Sequence, residues 1–310
     1  MNKSEIFNKR LIWITGKGGV GKSTVSSSLA LLGARQGKKI LLIEISPKSR
    51  ISRLLGSHEI KYKEREVLPN FWALNIEPKH SLEEYMKLQL KFKFFYDRIL
   101  KNKLFRIFST ALPGLDDLTT AGKIWYMENL KDNNGKPLFD TIIVDAPATG
   151  HCINLLKIPE TTINTARVGP IKNQTEPILE LFQDPVRSMV NIVTLPEKMP
   201  VNETLEFMDI VRKLNMPVGM VIINSLFPEP FEKSKFNEII SNISEEHFEY
   251  IYDIISTIQD KSEKQRLAIK PLLSEFKNMK IQLPYLFSSG FGKKEIEILV
   301  NRINTELSIG

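Results

Sequence analysis

The sequence has 310 residues, of which 42% are hydrophobic and 25% are charged, as in globular proteins rather than disordered chains. Its single cysteine, Cys152, excludes a disulfide framework or a cysteine-built metal cluster within the chain and suits a reducing compartment. The net charge of +7 fits a phosphate ligand, an acidic partner or a membrane surface, and it is equally typical of a solvated basic surface. Because neither zinc-finger spacing nor a basic heptad region is present, we expect no nucleic-acid partner.

The first predicted strand, RLIWIT, covers residues 10–15 and follows a polar N-terminal stretch. Its apolar run is too short for a signal peptide or a membrane span, so we expect a cytoplasmic protein. The glycine-rich segment GKGGVGKST (16–24) comes next, and a helix is predicted from Ser23 to a C-cap at Gly37. Strand, glycine loop and helix in this order form the context of a phosphate-binding loop.

The pattern G-x-x-x-x-G-K-[ST] runs from Gly16 to Ser23. Glycines permit tight turns and let backbone amides face phosphate oxygens, and the helix N-terminus adds its dipole. We expect Lys22 to reach the β- and γ-phosphates and the Ser23 hydroxyl to bind Mg²⁺. The predicted nucleotide-binding residues of the loop are Gly16, Lys17, Gly18, Gly19, Val20, Gly21, Lys22, Ser23 and Thr24.

Short apolar runs recur along the rest of the chain, and segments with helical spacing lie between many of them. The runs cover residues 38–45, 71–77, 139–146, 190–196, 217–224 and 280–284. Near-continuous apolar runs are typical of strands buried on both faces, and their alternation with helices predicts an α/β fold with a doubly wound, mostly parallel sheet. Ligands bind such sheets at the carboxyl ends of the strands.

Two stretches depart from this alternation, residues 81–130 and 230–279, and both are predicted to be helical. We interpret the first as a helical insertion and the second as helices before the last strand, within one domain spanning 1–310. The final helix, KKEIEILVNRINTELS, places five apolar side chains on one face: Ile296, Leu299, Val300, Ile303 and Leu307.

Asp145 follows four apolar or β-branched residues in FDTIIVDAPATGH, which indicates the end of a strand. A phosphate loop needs an acidic residue on a neighbouring strand to hold Mg²⁺, so Asp145 is the second predicted metal ligand, the alternative being a helix cap. The following loop, 146–151, contains proline and glycine and is a candidate nucleotide switch.

Four segments together carry a family resemblance. GKGGVGKST resembles the deviant Walker A motif of the SIMIBI class of P-loop NTPases, which has a second lysine after the first glycine. DAPATGHCINLLKIP (145–159) is similar to the switch II of the ArsA family, and the stretches 193–228 and 282–292 are similar to later motifs of that family. The chain thus resembles the ArsA and tail-anchored-protein-targeting ATPases, most closely the short bacterial ArsA-like members. The resemblance implies a Mg²⁺-dependent ATPase.

The resemblance also implies roles for single residues. Lys17 matches the extra lysine, which in the family crosses the interface of a nucleotide-bound homodimer and contacts the phosphates bound in the opposite subunit. Asn224 matches the asparagine that reads adenine, although a turn-forming asparagine is the alternative. Pro284 and the loop after it match the segment that packs on the base.

The sequence departs from the family at switch I. ILLIEISPKSR has Ser46 where the family's water-positioning aspartate is expected, and a serine cannot act as a carboxylate base. Glu44, two residues earlier, lies on the same face of the strand as Ser46 if the strand continues. We therefore predict that Glu44 replaces the missing aspartate, and that Glu44, Lys17 and Lys22 are the catalytic residues. The alternatives are that Glu44 pairs with a basic group such as Arg50, or that hydrolysis is slow.

Further departures concern metals and clients. The C-x-x-C pair that holds zinc between targeting ATPases is absent, and one cysteine cannot form the metalloid site of arsenite pumps. The aromatic, basic run KFKFFYDRILKNKLFR (91–106) lies where targeting members bind a client's apolar segment. It is either part of a groove for a protein client or membrane partner, or a set of core residues burying the insertion against its neighbours.

Overall fold

The fold is built on an eight-stranded sheet, in a computed structural model that describes residues 3–47, 49–89, 114–166, 170–228, 245–277 and 279–308. The strands are β1 Leu11–Gly16, β2 Ile40–Ile45, β3 Arg65–Leu68, β4 Phe71–Ile76, β5 Thr141–Ala148, β6 Ser188–Thr194, β7 Val218–Leu226 and β8 Lys280–Pro284. Their spatial order is β3-β4-β2-β5-β1-β6-β7-β8, and neighbouring strands are parallel except for the antiparallel pair β3–β4.

The seven predicted strands are confirmed, because each apolar run forms a strand within two residues of its expected ends. Strand β3 was not predicted. Arg65 and Glu66 are exposed at this sheet edge, so the strand has no apolar run from which to infer it. A short, charged edge strand of this kind discourages pairing with another sheet.

Helices cover both faces of the sheet. After a 3₁₀ helix at Lys3–Asn8, the helices are α1 Lys22–Arg35, α2 Ile51–Leu55, α3 Pro78–Gln89, α4 Leu115–Asn129, α5 Thr149–Ala166, α6 Pro170–Gln183, α7 Lys198–Lys213, α8 Glu245–Glu275 and α9 Lys293–Ser308. One apolar cluster joins the sheet to the 3₁₀ helix, α1, α2 and α9, and the other joins it to α4 through α8. The predicted doubly wound α/β fold is therefore confirmed.

The connections between the strands change their direction of winding next to β1. The connection after β1 runs through α1 to β2 on one side of it, whereas the connection after β5 leads through α5 and α6 to β6 on the other side. The chain therefore reverses its direction of winding around β1 and β5. Such a point leaves a crevice at the strand ends, which is where open α/β sheets bind ligands.

A buried ion-pair network fixes the opposite end of the sheet. Glu128, at the end of α4, is 3% exposed in its side chain and accepts hydrogen bonds from Arg10 Nε at 3.1 Å and from Arg187 Nη2 at 2.5 Å. Arg10 directly precedes β1 and Arg187 directly precedes β6. The carboxylate thus ties α4 to two central strands.

The stretches predicted to be helical are described in part. Helices α3 and α4 lie within or overlap residues 81–130, and α8 lies within 230–279. The aromatic run 91–106 lies outside the described residues. None of the helices in the described ranges has the length and apolar character that crossing a lipid bilayer requires.

Candidate functional site

The glycine loop connects the end of β1 to the start of α1 in a few residues. Gly21 has a φ of 95°, in the left-handed region that favours glycine, and a Cβ added there would overlap Nδ2 of Asn224. Gly19 is also left-handed, with φ 85°, and a Cβ at Gly18 or Gly19 would meet no atom within 4 Å. One side of the loop is therefore packed against β7 and the other side is open, as a phosphate-binding loop requires.

Lys22 folds back over this loop from the first turn of α1. Its Nζ donates hydrogen bonds to the carbonyl oxygens of Gly16 at 3.1 Å and Lys17 at 2.9 Å. Burial lowers the pKa of Lys22, and the nearby carboxylate of Asp145 partly opposes that effect. The ammonium group is thus held over the mouth of the loop, beside the N-terminus of a helix.

Asp145 lies on β5, in register with Ile14 of β1 and Glu44 of β2. Its Oδ1 accepts a hydrogen bond from Ser26 Oγ at 3.1 Å, and a hydrogen bond from Ser23 is among the interactions that lower its pKa. Burial outweighs these and raises the pKa of Asp145 to about 6, with a further increase from the Glu44 carboxylate. The structure therefore brings together the two predicted metal ligands, Ser23 and Asp145, which offer the hard oxygen atoms that Mg²⁺ prefers.

Glu44 is 1% exposed and both of its carboxylate oxygens accept hydrogen bonds. Ser49 Oγ donates to Oε2 at 2.6 Å, and the backbone amide of Arg50 donates to Oε1 at 2.8 Å and to Oε2 at 3.1 Å. The described contact with Arg50 is thus with its main chain, next to the start of α2. Ser46 follows the last residue of β2 and begins the loop that Glu44 anchors.

The second lysine of the loop has a different partner. Lys17 Nζ lies 2.6 Å from Oε1 of Glu203 on α7, and the two side chains are 36% and 37% exposed. Glu203 falls in the family-like stretch 193–228, but its contact with Lys17 was not predicted, because 186 residues separate the pair. Helix α7 follows β6, the neighbour of β1, and this topology brings the glutamate to the loop.

The residues predicted for the base lie at the same edge of the sheet. Asn224, near the end of β7, donates from Nδ2 to the carbonyl oxygen of Val20 at 2.9 Å. Pro284 ends β8, which pairs with β7, and the following Tyr285 stacks on Phe227 with ring centroids 4.7 Å apart. The amide, the proline and the stacked rings therefore lie on the side of the loop where β7 and β8 end.

Cys152 directly follows the predicted switch loop and lies near Thr15 and Lys22. Its side chain is fully buried in the core on α5, and burial raises the pKa of the thiol to about 12. A thiol with that pKa stays protonated near neutral pH and is a poor nucleophile or metal ligand.

A separate cavity of about 460 Å³ lies between α3, α4 and α6. Its walls are mostly apolar, and they include Leu118, Trp125, Ile171 and Ile178. Lys123 lies at one wall, in an ion pair with Glu84 at 3.0 Å. Helix α5, which begins immediately after β5, packs against both α4 and α6, so it connects the nucleotide edge of the sheet with the walls of this cavity.

A central strand, a left-handed glycine loop, a lysine held over that loop and a buried aspartate on the neighbouring strand define a P-loop nucleotide-binding protein. Comparison with known sequences gives its family. The sequence model of ArsA ATPases, described as "Anion-transporting ATPase", matches residues 9–180 and 165–277. The chain therefore belongs to the ArsA family, and it is an ATPase of that family.

Individual relatives agree with this assignment. The "ATPase BagA" of Mycobacterium tuberculosis is 32% identical over 242 residues, which cover 74% of this chain and 68% of the relative. The "Putative arsenical pump-driving ATPase" of Chlorobaculum tepidum is 25% identical over 299 residues, covering 82% and 70% of the two chains. The "ATPase GET3" of Komagataella phaffii is 27% identical over 250 residues, covering 69% and 72%.

Proposed function

We propose that this protein binds ATP with Mg²⁺ at the glycine loop and hydrolyses it as a nucleotide-gated homodimer. The observation that carries the proposal is Lys22, whose ammonium lies over the carbonyl oxygens of Gly16 and Lys17 at the start of α1. A cation in this position can exchange two neutral carbonyl partners for the oxygens of a triphosphate, which bind it more strongly. The open side of the loop leaves room for that exchange.

Each part of the site has a role in this proposal. The backbone amides of the loop and the N-terminus of α1 bind the phosphates, and Lys22 stabilises the charge that develops on the γ-phosphate. Ser23 and Asp145 would hold Mg²⁺, which would supply positive charge against the phosphates. Asn224 and Pro284 contact the adenine from the ends of β7 and β8.

The attacking water needs an acceptor, and Glu44 is our candidate for that role. It lies next to Asp145 across the β2–β5 pair. Both Glu44 oxygens are engaged by Ser49 and the amide of Arg50, so Glu44 must release at least one of these donors when it orients water. Movement of the loop that contains Ser46 would provide that release.

The test of the enzymatic proposal is steady-state phosphate release with Lys22→Ala as the inactive reference. We expect ATP- and Mg²⁺-dependent turnover in the wild type and none above background in the variant. Equilibrium binding of a fluorescent ATP analogue is measured in parallel. Wild-type turnover equal to that of Lys22→Ala, with ATP still bound to the wild type, would refute hydrolysis.

A second candidate function is a nucleotide-gated binding module with little turnover, which would bind ATP without hydrolysing it above the Lys22→Ala background. The observation in its favour is the engagement of both Glu44 oxygens next to Ser46, where the family has a carboxylate. In such a module the nucleotide changes the oligomeric state and the partner affinity without being consumed.

We further propose that Lys17 crosses the interface of the ATP-bound dimer and contacts the phosphates of the partner subunit. The Lys17 side chain is about one third exposed, which supports access to a partner. We expect Lys17→Ala to bind ATP as a monomer but to remain monomeric, whereas Lys213→Ala, an exposed lysine at the end of α7, dimerises like the wild type. Light scattering with a non-hydrolysable ATP analogue measures this difference, and dimers of Lys17→Ala would exclude the interface role.

For a downstream partner, we propose an apolar segment of a protein client or membrane partner, bound through the 81–130 region. The apolar walls of the cavity between α3, α4 and α6 support this proposal. A volume of about 460 Å³ accommodates a few side chains rather than a whole membrane-spanning helix. Trp125→Ala at the cavity wall should weaken capture of an apolar peptide without altering ATP affinity, and unchanged capture would argue against this site.

A further inference from the structure

The ion pair between Lys17 and Glu203 connects the nucleotide loop to a helix that has no other role in the proposed site. The two charged atoms are 2.6 Å apart, at the distance of a charge-assisted hydrogen bond. Lys17 belongs to a loop with left-handed glycines at 19 and 21, whereas Glu203 belongs to a sixteen-residue helix. The pair therefore joins a loop that can change conformation to a regular element.

Helix α7 holds the glutamate in a fixed position. The neighbouring side chains Val201 and Thr204 are 1% and 2% exposed, and Phe207 one turn later is 2% exposed. Thr204 Oγ1 also donates to the carbonyl oxygen of Pro200 at 2.8 Å. The backbone of α7 is thus packed on both sides of Glu203 and keeps the carboxylate near the loop when the lysine moves away.

We propose that Glu203 is a positioning residue for Lys17, which holds the ammonium on its own chain until the phosphates of a partner subunit replace the carboxylate. This inference rests on the proposed role of Lys17 across the dimer interface. An ion pair with both side chains one third exposed is screened by water and is weak. It is thus strong enough to restrain the lysine in the monomer and weak enough to yield to a triphosphate, which carries several negative charges.

The Lys17–Glu203 ion pair should change the free energy of dimerisation in one direction only. An interaction that is present in the monomer and is lost in the dimer opposes dimerisation by its own free energy. Removing the charge of Glu203 should therefore favour the ATP-bound dimer. A purely structural role of Glu203 in α7 would give the opposite sign or no effect, because the helix would be less stable or unchanged.

The experiment compares Glu203→Gln with the wild type and with Glu206→Gln, which removes the same charge from an exposed position of the same helix. Dimerisation is measured by analytical ultracentrifugation with Mg²⁺ and a non-hydrolysable ATP analogue, and nucleotide affinity is measured on dilute monomer. Each subunit loses one such pair, so two exposed ion pairs contribute, and we expect the dimer dissociation constant of Glu203→Gln to fall by about two- to thirtyfold. The monomer affinity for nucleotide should stay unchanged, and Glu206→Gln should match the wild type in both measurements.

The outcomes separate this inference from the function on which it rests. Wild-type protein that stays monomeric with nucleotide at all concentrations overturns the dimer and the positioning role together. Wild-type protein that dimerises, with Glu203→Gln equal to it or weaker, overturns the role of Glu203 alone. A tighter dimer in Glu206→Gln as well would show a general effect of charge and would also overturn it.

Discussion

Asp145 places a carboxylate in the core of the protein. We therefore predict that, without bound metal, the wild type is less stable than the Asp145→Asn variant. The side chain is 4% exposed and its compensating contacts are hydroxyl groups and one lysine. Burial disfavours the charged form, and the Glu44 carboxylate on the neighbouring strand adds to that cost. Asp145→Asn keeps the size of the side chain and removes the charge, so it should stabilise the folded protein at neutral or alkaline pH.

The magnitude follows from the pKa. The pKa of Asp145 is about 6 in the folded protein, against about 3.9 for an unperturbed aspartate. Two pKa units correspond to about 3 kcal/mol, and because buried groups relax we expect a gain of roughly 1–3 kcal/mol. The folded-state pKa is raised, so stability is greatest when the group is protonated and is lost as pH rises from about 4 to about 6. The advantage of Asp145→Asn should thus be largest above about pH 7 and vanish below about pH 4.

The assay is urea denaturation of both proteins at several pH values between 4 and 8, with a chelator present so that no metal occupies the site. The difference between the two free energies of unfolding isolates Asp145, since other titrating groups cancel. Asp253→Asn, at an exposed position of α8, controls for the loss of one carboxylate. An amide variant less stable than the wild type at pH 8, or a difference independent of pH, would refute this reasoning. Adding Mg²⁺ and ATP should stabilise the wild type and not the variant.

Further predictions concern the buried network and the loops. Glu128→Ala leaves two arginine side chains without their carboxylate and should lower the free energy of unfolding, measured by urea denaturation, by about 3–5 kcal/mol. The control Glu180→Ala, at an exposed position, should lower it by less than about 0.5 kcal/mol. Gly21→Ala forces a side chain into a left-handed conformation and against a neighbouring amide, so it should cost at least about 1 kcal/mol of stability and weaken ATP binding in a fluorescence titration; unaltered binding would contradict the loop geometry. If Glu44 orients water, Glu44→Gln should lower turnover by at least about a hundredfold and more than Ser46→Ala, and the reverse order in phosphate release would exclude Glu44.

The parts of the site that were predicted from the sequence are those set by local patterns. The loop from Gly16 to Ser23 has a fixed spacing between a strand and a helix, and Asp145 stands at the end of an apolar run. Parallel strands end at the same edge of a sheet, so both were expected at one site, and their side chains do lie close together. The apolar runs also predicted the sheet, except for the charged edge strand β3.

The contacts that sequence reasoning missed depend on long-range packing. Glu203 reaches the loop because β6 pairs with β1, and no spacing in the sequence encodes that neighbour. Glu44 was expected on the same face as the site, but its hydrogen bond from the main chain of Arg50 and its contact with Ser49 depend on how the chain turns after β2.

The two lysines of the loop differ in the environment that the fold gives them, and this difference supports the separate roles proposed for them. Lys22 is partly buried and hydrogen-bonded to two carbonyls of its own loop, and its pKa is lowered by burial, so its ammonium is held within its own subunit. Lys17 is one third exposed and its partner carboxylate is exposed to a similar extent. Exchange of that partner costs little, because water solvates both charges when they separate. Lys17 is therefore suited to sense a second subunit, whereas Lys22 is suited to stay with the phosphates of its own.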